Sequence, residues 1–200
     1  MCSGGVASPY DPLDSLQFSE AEIAAATDEA KAFGRYVLAH AYTPEAITRA
    51  VNNGVRTIEH GNLVEAGDAQ LMAAAGTFLV PTLSAYAVLG ERGAEYGLPA
   101  DRADKLAAVA DRGAEALRTA AAAGVRIALG TDLLGPMADQ QNREFALRAA
   151  VQGSWEVLES ATLTGAELLG QAGRLGVLAP GAAADPVSYT HLTLPTKRIV

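Results

Sequence analysis

The clearest pattern in the chain is a glycine, a short apolar run and a reactive polar residue, which together recur four times. The four copies occupy residues 34–40, 54–60, 76–82 and 124–132. An alanine-rich segment with helical spacing precedes each glycine. Glycine just past a helix suits the left-handed position there, and the β-branched and aliphatic residues that follow suit a buried strand. Each copy therefore predicts a helix, a glycine stop, a buried strand and a polar side chain at the strand's carboxyl end.

The alternation of helices and strands predicts an α/β fold with a parallel sheet. Strands are expected near residues 36, 56, 78 and 126. Four such units make half of an eightfold barrel or a small open sheet, and the polar strand ends favour a partial (β/α)8 TIM-type barrel. Residues 84–99 contain three glycines and are predicted to form a long loop, a candidate lid. Capping boxes are predicted at Ser19–Glu22 and at Thr164–Glu167.

Three of the four strands end in residues that can bind a metal ion: His40, His60 and Asp132. Imidazole nitrogen and carboxylate oxygen are the usual protein ligands of Zn²⁺ and related divalent ions. Neighbouring parallel strands lie about 4.8 Å apart, so both imidazoles can reach one ion. Asp132 can bind the metal and can also take a proton from a metal-activated water. This arrangement favours a metal site over structural histidines.

Other interpretations of these strand ends stay open. Asp132 can instead be the N-cap of a following turn, and the histidines can be satisfied by hydrogen bonds alone. Thr82 is interpreted as strand-end packing, and Glu59 is expected to point away from His60 because side chains alternate along a strand. A Ser-His-Asp triad is disfavoured, since the sequence has no Gly-x-Ser-x-Gly elbow.

The composition narrows the class of partner. The net charge is −8, from 15 basic and 23 acidic residues, and the repeating region has no run of Lys or Arg. This argues against nucleic acid and anionic membranes as partners, but it does not select a substrate. The single cysteine, Cys2, excludes an intramolecular disulfide and a Cys-based zinc cluster. The start of the chain lacks the basic segment of a signal peptide, which predicts a cytoplasmic protein unless an export signal precedes Met1.

Both ends of the chain differ from the repeats in composition and periodicity. The glycine-rich loop that holds Ser3, Gly4 and Gly5 can cradle a phosphate or carboxylate, although its composition alone favours a plain surface loop. We predict a barrel portion over residues 1–172 and the start of an incomplete β domain over residues 173–185. Residues 186–200 do not continue the preceding periodicity and resemble translated sequencing-adapter DNA. We predict that this tail is non-native and exclude it, with His191, from the site.

Several motifs in order resemble the metal-dependent amidohydrolase superfamily. They are Ser-Gly-Gly-Val-x-Ser-Pro near the start, Ala-His-Ala-Tyr at His40, Ile-Glu-His-Gly at His60, Val-Pro-Thr at Thr82 and Leu-Gly-Thr-Asp at Asp132. The closest branch resembles imidazolonepropionase-like and Xaa-Pro or Xaa-Arg dipeptidase-like enzymes. The resemblance covers about residues 1–185 and includes the return from the barrel to a small β domain.

The resemblance implies a distorted (β/α)8 barrel that carries one or two divalent metal ions, with zinc as the expected metal. It implies hydrolysis of amide-type C–N bonds in small, cyclic or dipeptide-like substrates. His40 matches the fifth-strand metal ligand, His60 the sixth-strand ligand, and Asp132 the eighth-strand aspartate that is both ligand and catalytic proton shuttle. Tyr42 and the loop Ser3, Gly4 and Gly5 match places where substrate contacts are expected.

The sequence departs from the family pattern, and these departures leave an alternative to a metal-dependent hydrolase open. The family's first-strand His-x-His pair and its carboxylated fourth-strand lysine are absent from this chain. We therefore expect a C-terminal barrel fragment, about strands 5 to 8, that is inactive alone. The alternative is a non-catalytic half-barrel, a binding or assembly module with structural histidines. In either case two exposed sheet edges favour self-association, and a homo-oligomer is one expected state.

Overall fold

A computed structural model describes residues 1–183 as a parallel sheet covered by helices. The elements alternate along the chain as the sequence predicts. The strands are β1 (Leu38–Ala41), β2 (Thr57–His60), β3 (Phe78–Val80) and β4 (Arg126–Ile127). The α-helices are α1 (Glu20–Ala32), α2 (Pro44–Asn52), α3 (Ala66–Ala75), α4 (Leu83–Arg92), α5 (Ala103–Ala122), α6 (Arg143–Ala149), α7 (Ser154–Ala161) and α8 (Leu163–Leu168). Short 3-10 turns lie at Gly93–Tyr96, Ala100–Arg102 and Gly135–Gln140.

The four strands pair in sequence order, and every pair is parallel. The register aligns Ala39, Ile58, Leu79 and Ile127 across the sheet. These four side chains are buried in the larger hydrophobic core together with residues of α2, α3 and α5. The predicted parallel α/β fold is therefore confirmed, and its core lies between the sheet and the helices.

The opposite face of the sheet is not covered in the same way. His40 is in register with Glu59, and Glu59 with Val80, so these three residues share that face. Leu38 precedes His40 by two positions on the same face and is 61% exposed. The face that carries the candidate histidine is thus an open surface, at which polar and apolar residues meet.

Several helix boundaries follow from local chemistry. Ser19 and Glu22 form the predicted capping box at the start of α1, and Thr43 caps α2 ahead of Pro44. The four predicted glycine stops, at residues 34, 54, 76 and 124, all have positive φ. Because that conformation strains residues with a Cβ, these glycines end the helices and turn the chain into the next strand.

Two local predictions are wrong. Residues 84–99 are not an open loop: most of the segment forms α4, and a 3-10 turn follows. Packing of Tyr86 and Val88 stabilises that helix despite Gly90. No capping box forms at Thr164, because α8 begins at Leu163 and Glu167 pairs with Arg126 of β4 instead.

The C-terminal segment is only partly described. Residues 173–183 form turns without a strand, and the Ala183 amide donates to the Arg174 carbonyl at 2.8 Å. The end of the predicted β-domain segment and the tail with His191 lie outside the described residues. Within the described part, no helix has the length and apolar character that crossing a membrane requires.

Candidate functional site

The carboxyl ends of β1 and β2 bring two histidine rings together. The ring centroids of His40 and His60 are 4.6 Å apart, and the rings are nearly perpendicular. His60 ends its strand with a φ of 72°, a left-handed conformation that is uncommon for a residue with a side chain. The pairing expected from the sequence is therefore present in the structure.

Each ring is held through one nitrogen. Nδ1 of His60 is 2.7 Å from the Thr82 hydroxyl, and Nε2 of His40 is 3.3 Å from the Gly4 carbonyl. A carbonyl only accepts, so His40 donates from Nε2 and keeps the lone pair on Nδ1. Burial lowers the pKa of His40, and burial together with His40 lowers the pKa of His60 to about 3. Both imidazoles are therefore neutral at neutral pH, the form that binds metal ions.

Asp132 reaches the same cleft from beyond β4. Its φ is 51°, and burial raises the pKa of its carboxyl. None of the ion pairs among residues 1–183 involves Asp132. The preceding Gly130 has no room for a side chain, since an added Cβ would lie 2.4 Å from Val80 Cγ1. The strand ends thus approach closely, and a carboxylate without a counter-cation is left in the cleft.

The three candidate ligands line one cleft of about 400 Å³. Its other lining residues are Leu38, Glu59, Val80, Thr82, Gly130 and Thr131. Glu59 therefore does not point away from His60, as strict alternation predicts. The left-handed backbone at His60 breaks that alternation, so both side chains border the cleft. Burial raises the pKa of Glu59, the Thr57 hydroxyl lowers it, and nearby Asp132 raises it further.

Tyrosines form the wall beside the histidines. The Tyr42 ring is 4.6 Å from the His40 ring and stacks on the His60 ring at 5.3 Å. Its hydroxyl is 2.8 Å from that of Tyr86, a residue of α4. Burial raises the pKa of Tyr42 to about 12 and that of Tyr86 well above its usual value. Both phenols therefore stay protonated and can donate one hydrogen bond each.

The N-terminal loop packs against this wall. Ser3 is fully buried, and its hydroxyl accepts from the Tyr42 amide at 3.0 Å. Gly4 leaves no room for a side chain, because an added Cβ would lie 1.9 Å from the Pro12 carbonyl oxygen. Gly5 is buried as well, so the loop is not the plain surface loop that its composition favours. Ser3, Gly4, Gly5 and Tyr42 stand behind His40 and are not among the residues that line the cleft.

The donor set fits a divalent cation in its chemistry. Two neutral imidazoles and an exposed carboxylate without a counter-cation are typical of a zinc or related site. In the described part of the chain, no three His, Cys, Asp or Glu side chains are placed closely enough to hold an ion by themselves. The residues therefore fit a metal chemically, while the fully assembled ligand set is not formed by residues 1–183 alone.

Sequence reasoning missed the residues that support the histidines. Thr82 was interpreted as packing, yet its hydroxyl contacts His60. Its place at the end of the third repeat was the available signal. Tyr86 gave no signal, because it lies on a helix whose approach to the site depends on tertiary packing.

Comparison with known proteins identifies relatives along nearly the whole chain. A sequence model described as "Amidohydrolase family" matches residues 2–194. Ochratoxinase from Aspergillus niger is 33% identical over 191 residues, which are 94% of this chain and 39% of that protein. The chain thus spans well under half of the length of this curated relative.

Solved structures agree with that comparison. A prolidase complexed with N-methylphosphonate-L-proline matches with a TM-score of 0.90 and 53% identity, over 92% of this chain and 45% of that one. A Xaa-Pro dipeptidase with bound methionine matches with a TM-score of 0.81 and 31% identity, over 92% of this chain and 46% of that one. These superpositions confirm the predicted partial TIM-type barrel.

Proposed function

The chain belongs to the amidohydrolase family, and on that premise we propose that the complete protein hydrolyses an amide-type C–N bond. We propose a small substrate, either dipeptide-like or a cyclic amide. The likeness to a prolidase and to a Xaa-Pro dipeptidase supports the dipeptide-like class. The acidic balance of the chain supports a small molecule over nucleic acid or an anionic membrane.

The observation that carries this proposal is the convergence of His40, His60 and Asp132 on one cleft from three different strands. His60 and Asp132 are also the only residues other than glycine with positive φ in residues 1–183. Uncommon backbone conformations cluster at functional sites, where the surrounding structure holds them in place. Packing alone gives no reason for both strand ends to adopt them.

We propose that His40, His60 and Asp132 bind one or two divalent metal ions, with zinc as the expected metal. Such an ion, when bound, polarises the scissile carbonyl and lowers the pKa of water towards about 7. The resemblance of the sequence to the family implies additional ligands, which this chain does not contain. The chain alone should therefore bind metal weakly and hydrolyse nothing.

The chain's own residues supply positioning and proton transfer. Asp132 accepts a proton on a carboxylate oxygen from the attacking water as the C–O bond forms, and it passes this proton to the leaving nitrogen as the C–N bond breaks. Burial, which raises the pKa of this carboxyl, suits it to hold that proton. Thr82 fixes the His60 ring through Nδ1, so that Nε2 keeps the lone pair for a ligand.

We propose that Tyr42 and the loop Ser3, Gly4 and Gly5 support the substrate side of the site from behind His40, since none of them lines the cleft. The Ser3 hydroxyl accepts from the Tyr42 amide, so Ser3 acts by fixing the loop. Tyr42 packs against both histidine rings, and its hydroxyl is paired with that of Tyr86.

The test measures bound metal and hydrolysis with the product of the complete gene. Bound zinc is quantified by mass spectrometry, and a panel of Xaa-Pro dipeptides and cyclic amides is assayed. We expect a stoichiometric metal and hydrolysis of one class in the wild type, and we expect His60→Ala to lose most of both. The matched control is Asn52→Ala, an exposed residue at the end of α2 and outside the cleft, which should change neither.

The opposite results favour the non-catalytic half-barrel. Equal metal content in the wild type and in His60→Ala would remove the metal assignment. A folded, metal-free product that hydrolyses no member of the panel would support a binding or assembly module with structural histidines.

A further inference from the structure

The start of α4 is capped in an unusual way. Thr82 occupies the N-cap position, yet its side chain makes no capping hydrogen bond. Threonine is normally a good N-cap, because its hydroxyl accepts from the amide of the second or third helical residue. Here the hydroxyl instead lies 2.7 Å from Nδ1 of His60. The residue best placed to cap the helix therefore serves the site.

A carboxylate from another helix caps α4 in its place. Glu144 of α6 accepts from the Leu83 amide at 3.3 Å through Oε1 and from the Ser84 amide at 2.7 Å through Oε2. These are the first two amides of α4, where the helix dipole favours negative charge. Glu144 is fully buried and is remote in sequence from the helix that it caps. A buried carboxylate is retained only where donors compensate for its desolvation.

The same network reaches the strand end that carries Asp132. The Ser84 hydroxyl donates to the Thr131 carbonyl at 3.5 Å. Arg148, one turn beyond Glu144 on α6 and fully buried, donates to the Ala128 carbonyl at 3.1 Å. Thus α6 fixes the start of α4 and the end of β4, the two segments that flank the candidate metal ligands.

We propose that Glu144 is a positioning residue, which caps α4 so that the Thr82 hydroxyl stays free to hold the His60 imidazole. The role assigned to His60 rests on the proposed function. The capping of α4 by Glu144, which leaves the Thr82 hydroxyl to His60, does not. The Ser84 amide is buried and needs an acceptor. Without the Glu144 carboxylate, the nearest hydroxyl able to cap is that of Thr82, which would turn away from His60.

The contact with Thr82 determines which nitrogen of the His60 ring carries the proton. For the Thr82 hydroxyl to orient His60 as a ligand, Nδ1 must carry the proton and donate it to Oγ1, which leaves Nε2 unprotonated. If Glu144 caps α4 in place of Thr82, His60 therefore has a single neutral tautomer, protonated on Nδ1. A hydroxyl that merely filled space would fix no tautomer.

The experiment is nitrogen-15 NMR of the metal-free chain with labelled histidine at mildly alkaline pH. The sequence has three histidines, and His40→Gln and His191→Ala assign the His60 signals. We expect the wild type to show His60 protonated on Nδ1 alone. In Glu144→Ala we expect a mixture of tautomers, as in Thr82→Ala, and no further change when both substitutions are combined. Glu144→Gln keeps one acceptor oxygen, which can serve the Ser84 amide, and should largely restore the wild-type signals.

A control variant distinguishes the general loss of stability on removing a helix cap from the specific effect of the Glu144 cap on His60. Asp68 is a buried carboxylate that completes the cap of α3 through the Glu65 amide at 3.2 Å. Asp68→Ala should lower the urea midpoint of unfolding and leave the His60 tautomer unchanged. If Glu144→Ala does not fold, Glu144→Asp takes its place, because its shorter side chain withdraws the carboxylate from the α4 amides. It should give the same mixture of tautomers as Thr82→Ala, and a single Nδ1-protonated tautomer in that variant would overturn the proposal.

Unchanged His60 signals in folded Glu144→Ala would overturn the proposal, as would a wild-type His60 protonated on Nε2. The readout needs neither metal nor substrate. A protein that fails the test of hydrolysis can therefore still pass or fail this one.

Discussion

At the scale of single residues, the site is marked by its backbone. His60 and Asp132 have φ angles of 72° and 51°, and in residues 1–183 only glycines share this region with them. A left-handed residue with a Cβ costs roughly 1–2 kcal/mol, somewhat less for Asp, whose short polar side chain tolerates the conformation. Both positions therefore reduce stability, and their retention is better explained by the placement of their side chains in the cleft.

This cost can be measured at Asp132. We expect Asp132→Gly to unfold at a higher urea concentration than Asp132→Ala, with a difference in the free energy of unfolding of about 1 kcal/mol, since glycine adopts a positive φ without strain. The adjacent Thr131, which has no positive φ, is the control. There Thr131→Gly should be no more stable than Thr131→Ala. An alanine variant at residue 132 as stable as the glycine variant would contradict the strain.

At the scale of elements, the sequence predicts what is local. The glycine stops, the capping box of α1 and the order of strands follow from neighbouring residues, and the structure confirms them. The loop predicted for residues 84–99 is wrong because the glycines of this segment lower its intrinsic helix propensity. Tyr86 and Val88, which stabilise the helix, become buried only after distant elements assemble. Glu144 also reaches the start of α4 only after distant elements assemble, and no sequence pattern near Thr82 predicts this cap.

The two predicted capping boxes provide a matched test of this distinction. Ser19 accepts from the Glu22 amide at 3.3 Å in α1, whereas Thr164 lies inside α8. We expect Ser19→Ala to cost about 1 kcal/mol and so to lower the protection of the α1 amides against hydrogen exchange about fivefold. Thr164→Ala should leave the protection of the α8 amides within about twofold of the wild type. Equal losses in the two helices would show that Thr164 does cap α8.

At the scale of the whole molecule, the four strands form a partial barrel, with β1 and β4 as its end strands in the described residues. The sequence predicts this arrangement because each repeat carries its own helix and strand. It also places His40, His60 and Asp132 together, since parallel strands share a carboxyl edge. It does not predict that Glu59 joins them, because the left-handed turn at His60 is visible only in the folded backbone.

The open face of this sheet leads to the last prediction. Leu38 is 61% exposed on the face that carries His40, at an end strand of the sheet. Exposed apolar side chains on an end strand favour association with a second copy, because the contact removes them from water. We therefore expect the 200-residue chain to self-associate, and we expect Leu38→Lys to weaken this about tenfold, the effect of roughly 1.4 kcal/mol.

Sedimentation velocity over a concentration series measures that dissociation constant. Leu178→Lys is the matched control, since Leu178 is 95% exposed but lies outside the sheet, among the turns near the end of the described chain. It receives the same charge and should leave association nearly unchanged. If both variants weaken association equally, the sheet face has no special role. If only Leu38→Lys acts, the face beside His40 is the surface through which the chain associates.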